Sequence, residues 1–144
     1  MTIEQISVFL ENKPGRLAEI TKLIGDAGVD LRAMSLADTA DFGVLRLMVD
    51  DPEKVRELLL GVGCAISVTQ VLAVRIADKP GSLAGVLAVL ADAAISVEYA
   101  YASITRDKEN AYVILRVNDN DRALETLSAH GIKAASAKEL FNGG

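Results

Sequence analysis

The stretch Leu10-Glu11-Asn12-Lys13-Pro14-Gly15-Arg16-Leu17-Ala18 decides the fold, because the chain contains it twice. Its second version, Ile76-Ala77-Asp78-Lys79-Pro80-Gly81-Ser82-Leu83-Ala84, lies 66 residues further along. Between residues 12–31 and 78–97, seven of twenty aligned positions are identical, and most of the others exchange one apolar residue for another. A repeat of this period in a chain of 144 residues predicts two copies of one small structural unit.

The predicted domains are residues 1–69 and residues 70–144. Each copy is about the size at which a lone hydrophobic core becomes marginal, so we expect the halves to pack on each other. No Gly or Pro separates them, and from Ile66 to Ile76 apolar residues follow the two-residue period of a strand with one exception at Gln70. We therefore expect the fourth strand of the first copy to run almost directly into the first strand of the second.

Within each copy the pattern predicts the order βαββαβ. Alternating apolar residues before Pro14-Gly15 predict a strand, and apolar residues three and four apart after it predict a helix that ends at Gly28. Further strands are predicted at 29–36, 43–49 and from Ile66, with a turn at 39–41 and a helix from Asp51-Pro52. The second copy repeats this order with strands at 97–105, 111–117 and 134–141, a hairpin turn at 106–110, a helix at 119–129 and a frayed end at 142–144.

A βαββαβ unit is the ferredoxin-like arrangement, which serves many unrelated functions. The more specific signal is strand-(Asn/Asp)-Lys-Pro-Gly-x-Leu-Ala-helix, present in both copies. In this pattern the sequence resembles the ACT domain, a small regulatory module that binds amino acids, and the stand-alone proteins with two ACT domains and no catalytic domain. The resemblance covers essentially the whole chain. It implies an α+β fold of two tandem ferredoxin-like units whose antiparallel sheets pack side by side.

The resemblance also implies a binding site. In the family, ligands lie between two ACT domains, against the loop that joins the first strand to the first helix. Its polar positions are Asn12 and Asp30 in the first copy, and Asp78 and Ser96 in the second. Serine-binding members have Asn at both positions, so three of these residues depart from that pattern. The implied ligand-binding residues are Leu10, Asn12, Lys13, Pro14, Gly15, Asp30, Ile76, Asp78, Lys79, Pro80, Gly81 and Ser96.

Elementary chemistry agrees with this location. The start of a helix offers unpaired N–H groups and partial positive charge to a carboxylate, and glycine allows close approach to the backbone. We expect the first copy to bind an α-amino acid, with the ammonium near Asp30 and a preference for a branched or aromatic side chain. The alternative is that Lys-Pro-Gly is only a tight turn, with Asn12 and Asp78 as helix caps and Asp30 as a solvated residue at a strand start.

Composition excludes several classes of protein. The formal net charge of −5 argues against a nucleic-acid partner, which requires clustered Lys and Arg. No apolar run approaches the roughly 20 residues that span a bilayer, and residues 1–5 lack the features of a signal peptide, so we expect no membrane partner and a cytoplasmic location. One Cys and one His rule out an internal disulfide and a Cys/His metal cluster. No metal and no cofactor are indicated.

The leading hypothesis is a non-catalytic amino-acid sensor that regulates a separate enzyme or regulator. A structural regulatory subunit without a ligand is the first alternative. An acylphosphatase-like hydrolase is the second, although Arg16 is the only Arg beside the first loop and Ser82 takes its place in the second copy. An RNA-binding domain of the same topology needs aromatic residues on the third strand, and residues 43–48 contain none.

A homodimer is expected because small sheets leave unpaired strand edges that must be covered, charged or paired. Apolar residues on both faces of the third strand also favour a homodimer. Val44 and Met48 lie on one face, opposite Leu45 and Leu47 on the other.

Overall fold

The structure of the protein, a computed structural model, describes residues 1–38, 42–104 and 108–142. The predicted turn at 39–41, residues 105–107 at the second predicted hairpin and residues 143–144 of the predicted frayed end lie outside the described residues. Among the described helices, none is both long and apolar enough to cross a membrane. The element order is β1 (Ile3–Glu11), α1 (Arg16–Asp26), β2 (Leu31–Asp38), β3 (Phe42–Val49), α2 (Pro52–Gly61), β4 (Ala65–Ala77), α3 (Ser82–Asp92), β5 (Val97–Ala102), β6 (Asn110–Val117), α4 (Asn120–Ala129) and α5 (Ala137–Asn142).

Contacts within the chain divide it into two compact units. The first unit is Glu4–Thr69, and the second unit consists of Met1–Ile3 and Gln70–Gly144. Strand β4 is uninterrupted over 13 residues and supplies residues to both units. The prediction that the fourth strand of the first copy continues into the first strand of the second is therefore confirmed.

In the first unit the strand order is β2-β3-β1-β4, and β3 pairs antiparallel with both of its neighbours. The side chains on one face of β1 and β3 meet the buried side of α1 and α2, as the alternating pattern predicts. Strand β2 begins at Leu31 rather than at residue 29, because the N–H of Val29 still donates to the Ile24 carbonyl in the motif that ends α1. The core of this unit consists of Ile6, Val8, Leu10, Ile20, Ile24, Val29, Leu45, Leu47, Val49, Val55, Leu59 and Cys64.

In the second unit the order is β4-β6-β5, again antiparallel. Its core repeats the pattern of the first and consists of Leu72, Val74, Val86, Leu90, Ile95, Val113, Leu115, Val117, Ala123 and Leu127.

The last strand predicted for the second copy, at 134–141, is wrong. Pairing there is limited to a single bridge between Val74 and Ala134, with the Ala135 N–H donating to the Ala73 carbonyl at 2.7 Å. The chain then forms helix α5. The cause is a reciprocal cap: the Ser136 hydroxyl accepts from the Glu139 N–H at 3.1 Å and donates to the Glu139 carboxylate at 3.2 Å.

Candidate ligand-binding site

The two Lys-Pro-Gly turns share one backbone geometry, which glycine makes possible. Gly15 has φ 82° and Gly81 has φ 89°, in the left-handed region that residues with a Cβ rarely adopt. Helix α1 begins directly after the first glycine and α3 directly after the second. Each turn therefore connects its strand to its helix through the same sharp bend at the glycine.

Helices α1 and α3 begin differently from α2 and α4. The Asp51 carboxylate caps α2 by accepting from the Lys54 N–H at 3.2 Å, and Asp119 caps α4 by accepting from the Arg122 N–H at 3.1 Å. In the part of the chain that the structure describes, no side chain caps α1 or α3. The alternative in which Asn12 and Asp78 serve as caps is therefore wrong. The first amide of each helix is bonded within the turn, from Arg16 to the Lys13 carbonyl at 3.2 Å and from Ser82 to the Lys79 carbonyl at 3.3 Å, and the first-turn amides after it keep their capacity to bind an anionic group.

Asp30 lies at the opposite end of α1 from the Lys-Pro-Gly turn. The 11 residues of α1 rise about 1.5 Å each, which separates the two ends by about 16 Å. Strand β3 shows the same separation, because it pairs Gly43 with Leu10 near the turn and Val49 with Leu31 next to Asp30. One amino acid bound at the first turn does not span the distance to Asp30 of the same unit, so the contact of its ammonium with Asp30 stays a prediction for a ligand that lies between two ACT domains.

The polar groups of Asp30 and Ser96 hold strand ends together. The N–H of Asp30 donates to an Asp50 carboxylate oxygen at 3.0 Å, and the Asp30 carboxylate accepts from Arg32 at 2.9 Å. In the second unit the N–H of Ser96 donates to the Asn118 side-chain oxygen at 3.0 Å. The bond to Asp50 joins the start of β2 to the end of β3, and the bond to Asn118 joins the start of β5 to the end of β6.

Around the first turn, charged side chains bind one another. The Lys13 ammonium lies 2.6 Å from the Glu11 carboxylate, and this hydrogen bond and charge hold the pKa of Glu11 below its ordinary value. The Arg16 guanidinium pairs with Glu19 at 3.1 Å and also donates to the Cys64 sulfur at 3.7 Å. A hollow of about 90 Å³ lies beside this turn and is lined by Leu10, Glu11, Asn12, Lys13, Arg16, Leu17, Leu36, Asp38 and Gly43.

Beside the second turn the structure contains a wide-mouthed cavity of about 520 Å³, within the roughly 300–1,000 Å³ typical of small-molecule sites. Of the predicted site residues, Ile76 and Gly81 line it. Sequence reasoning missed the others, although the exchange of Arg16 for Ser82 in the repeat could have signalled open space. The lining residues are Arg75, Ile76, Ala77, Gly81, Ser82, Gly85, Val86, Gly131, Ile132, Lys133, Ala135 and Glu139.

The described residues contain no group of three or more His, Cys, Asp or Glu side chains able to hold a metal ion. Cys64 is buried in the core of the first unit. His130 directly follows α4, where its Nδ1 lies 2.9 Å from the Thr126 carbonyl oxygen. The turns and the cavity thus carry the candidate chemistry of the molecule.

Known proteins match this chain over nearly its whole length. Protein BT0572 from Bacteroides thetaiotaomicron has the same fold with a TM-score of 0.91 and 34% identity, covering 99% of this chain and 97% of that chain. The ligand-free regulatory subunit of aspartate kinase from Thermus thermophilus has a TM-score of 0.66 at 16% identity, covering 88% of this chain and 91% of that chain. The same subunit from Thermus flavus has a TM-score of 0.62 at 15% identity, covering 96% of this chain and 92% of that chain.

Among proteins with curated descriptions, none matches the sequence. The family model described as an ACT domain pair matches residues 1–142. This match spans both Lys-Pro-Gly turns, the helices that they open and the continuous strand β4. The chain therefore belongs to the family of ACT domain pairs.

Proposed function

We propose that this protein is a non-catalytic regulatory module that binds a free α-amino acid and controls a separate enzyme or regulator. The observation that carries the proposal is the contrast in helix capping. Both units cap their second helix with an Asp side chain, whereas the described residues provide no side-chain cap for the helix after each Lys-Pro-Gly turn. An exposed turn of this kind suits the carboxylate of a ligand.

The proposed contacts belong to the two turns. Leu10, Asn12, Lys13, Pro14 and Gly15 form the first turn and its approach, and Ile76, Asp78, Lys79, Pro80 and Gly81 form the second. In both turns the four residues from Asn12 or Asp78 to the glycine are exposed, so a ligand can reach them. We assign Asp30 and Ser96 no contact with a ligand at the turn of their own unit.

A thermal-shift screen of the twenty common amino acids tests the proposal. A ligand at 100 times its Kd stabilises the folded state by about 2.7 kcal/mol. At roughly 2–4 °C per kcal/mol for a chain of this size, the melting temperature should rise by about 5–11 °C. The amine that lacks the carboxylate of the active amino acid is the matched control and should give no shift. A screen in which no amino acid moves the melting temperature would leave the ligand-free regulatory subunit as the better hypothesis.

The hydrolase alternative has weaker support. Its anion-binding loop needs an arginine free to hold a phosphate, but Arg16 is paired with Glu19 at 3.1 Å. The matching position in the second unit is Ser82, which carries no charge. Turnover of a generic acyl phosphate by the purified chain would revive this alternative.

We also propose that the working form is a cytoplasmic homodimer. Phe9 and Phe42 are each 40% exposed and contact each other edge to face, with ring centroids 6.0 Å apart. Met48, which the sequence suggested as surplus apolar surface, is fully buried within the single chain and adds nothing to this patch. Light scattering at micromolar concentration should give twice the chain mass, and Phe9→Ser should lower it. A monomer with and without ligand would contradict this proposal.

A further inference from the structure

The repeat relates the charged cluster of the first turn to the cavity of the second. With the offset of 66 residues, Arg16 corresponds to Ser82 and Glu19 corresponds to Gly85. In the first unit these two long side chains pair with each other, and Arg16 extends to the Cys64 sulfur at 3.7 Å. Their small counterparts in the second unit both line the cavity of about 520 Å³. The same place in the fold is thus occupied in one unit and open in the other.

The C-terminal segment also lines the cavity. Pairing along the edge of β4 ends with the bond from the Ala135 N–H to the Ala73 carbonyl. The chain then turns into α5 instead of continuing as a strand, and Glu139 on this helix lines the cavity together with Lys133 just before the bridge. The segment that departs from the expected last strand therefore lines the cavity.

The charges of the lining suit a zwitterion. Arg75 and Lys133 are the two cations of the lining and Glu139 is its one carboxylate. Within the described residues, no carboxylate pairs with the Lys133 ammonium. One oxygen of Glu139 accepts from Ser136, and the side chain is otherwise exposed. An α-amino acid in this cavity can direct its carboxylate to the start of α3, at Gly81 and Ser82, and to Lys133, with its ammonium toward Glu139.

We propose that the second unit is the ligand-binding copy, and that its cavity takes an α-amino acid. Arg16 and Glu19 close the matching place in the first unit. This assignment rests on the proposed function and replaces the first copy, which the sequence favoured, with the second.

The test fills the cavity with the side chains of the first unit. Full-length Ser82→Arg/Gly85→Glu should lose the thermal shift given by the most active of the twenty amino acids, because the new pair occupies the binding space. Gly85 accepts a side chain without clash, since an added Cβ meets no atom within 4 Å. The matched control, Arg16→Ser/Glu19→Gly, changes the first unit and should keep the shift.

If circular dichroism shows that the double variant does not fold, a variant that removes one charge tests whether the ligand lies in this cavity. Lys133→Gln should weaken the affinity about 10- to 100-fold by calorimetry, since it removes a charge-assisted hydrogen bond. Lys138→Gln removes an equally exposed charge outside the lining and should bind as the unchanged protein does.

The outcomes separate this inference from the proposed function. If no amino acid shifts the unchanged protein, the proposed function is overturned. If an amino acid binds, and the folded filled variant or Lys133→Gln binds it equally well, the ligand lies elsewhere and the assignment to the second unit is overturned alone.

Discussion

Residue 28 and its repeat partner, residue 94, both adopt left-handed backbone, but only the first is glycine. Gly28 has φ 74° and Ala94 has φ 56°. Alanine in this conformation costs roughly 1–2 kcal/mol, of which the greater freedom of glycine in the unfolded chain offsets about half. We expect Ala94→Gly to raise the free energy of unfolding by about 0.5–1 kcal/mol in urea denaturation. Gly28→Ala, the reverse change in the first unit, should lower it by a similar amount.

Helix caps provide a second test at the scale of single residues. In the structure Asp51 and Asp119 cap helices, whereas Asn12 and Asp78, which the sequence offers as caps, do not. Asp51→Ala and Asp119→Ala should each lower the free energy of unfolding by about 1 kcal/mol, since each removes a side-chain acceptor from a first-turn amide. Asn12→Ala and Asp78→Ala should change it by less than about 0.5 kcal/mol, as exposed residues without that bond. A loss of the full amount in Asn12→Ala would show that it caps α1 in solution.

Single elements show where sequence patterns suffice and where they do not. Pro-Gly between a strand pattern and a helix pattern predicts a tight turn from local sequence alone, so the two Lys-Pro-Gly turns are predictable. The contact of a ligand with Asp30 stays a prediction, since Asp30 lies at the far end of α1 from the turn of its own unit and the contact depends on a second ACT domain. Helix α5 carried a local signal, the Ser136-x-x-Glu139 capping box, but the apolar residues around it were interpreted as a strand.

The same limit applies to the choice between copies. Polar residues at Asn12 and Asp30 favour the first copy, yet Arg16 and Glu19 occupy there the positions that Ser82 and Gly85 leave open in the second. The size of a cavity depends on which side chains fill it, as Arg16 does against Cys64. Such contacts join residues 48 positions apart in the chain, and a pattern of local spacing does not contain them.

At the scale of the whole molecule, the continuous strand β4 is the feature of the structure that follows most directly from the repeat in the sequence. Its 13 residues belong partly to the first unit and partly to the second. The repeat predicted two copies, and the absence of Gly or Pro around Gln70 predicted that no linker separates them. The division of the chain into units 1–69 and 70–144 stays a prediction, as does the expectation that neither half folds when the chain is cut there.

We expect fragments 1–69 and 70–144 to be largely unfolded when expressed separately. The cut divides β4 into two short strands, and it leaves Met1–Ile3 on the fragment to which they do not belong. One bond lost is that from the Thr2 hydroxyl to the Gln70 side-chain oxygen, at 2.8 Å. Fragments of about 70 residues with a damaged sheet have little core to offset these losses. Proton–nitrogen NMR spectra should show narrow dispersion for each fragment and wide dispersion for the intact chain, and two well-dispersed fragment spectra would show that each copy folds alone.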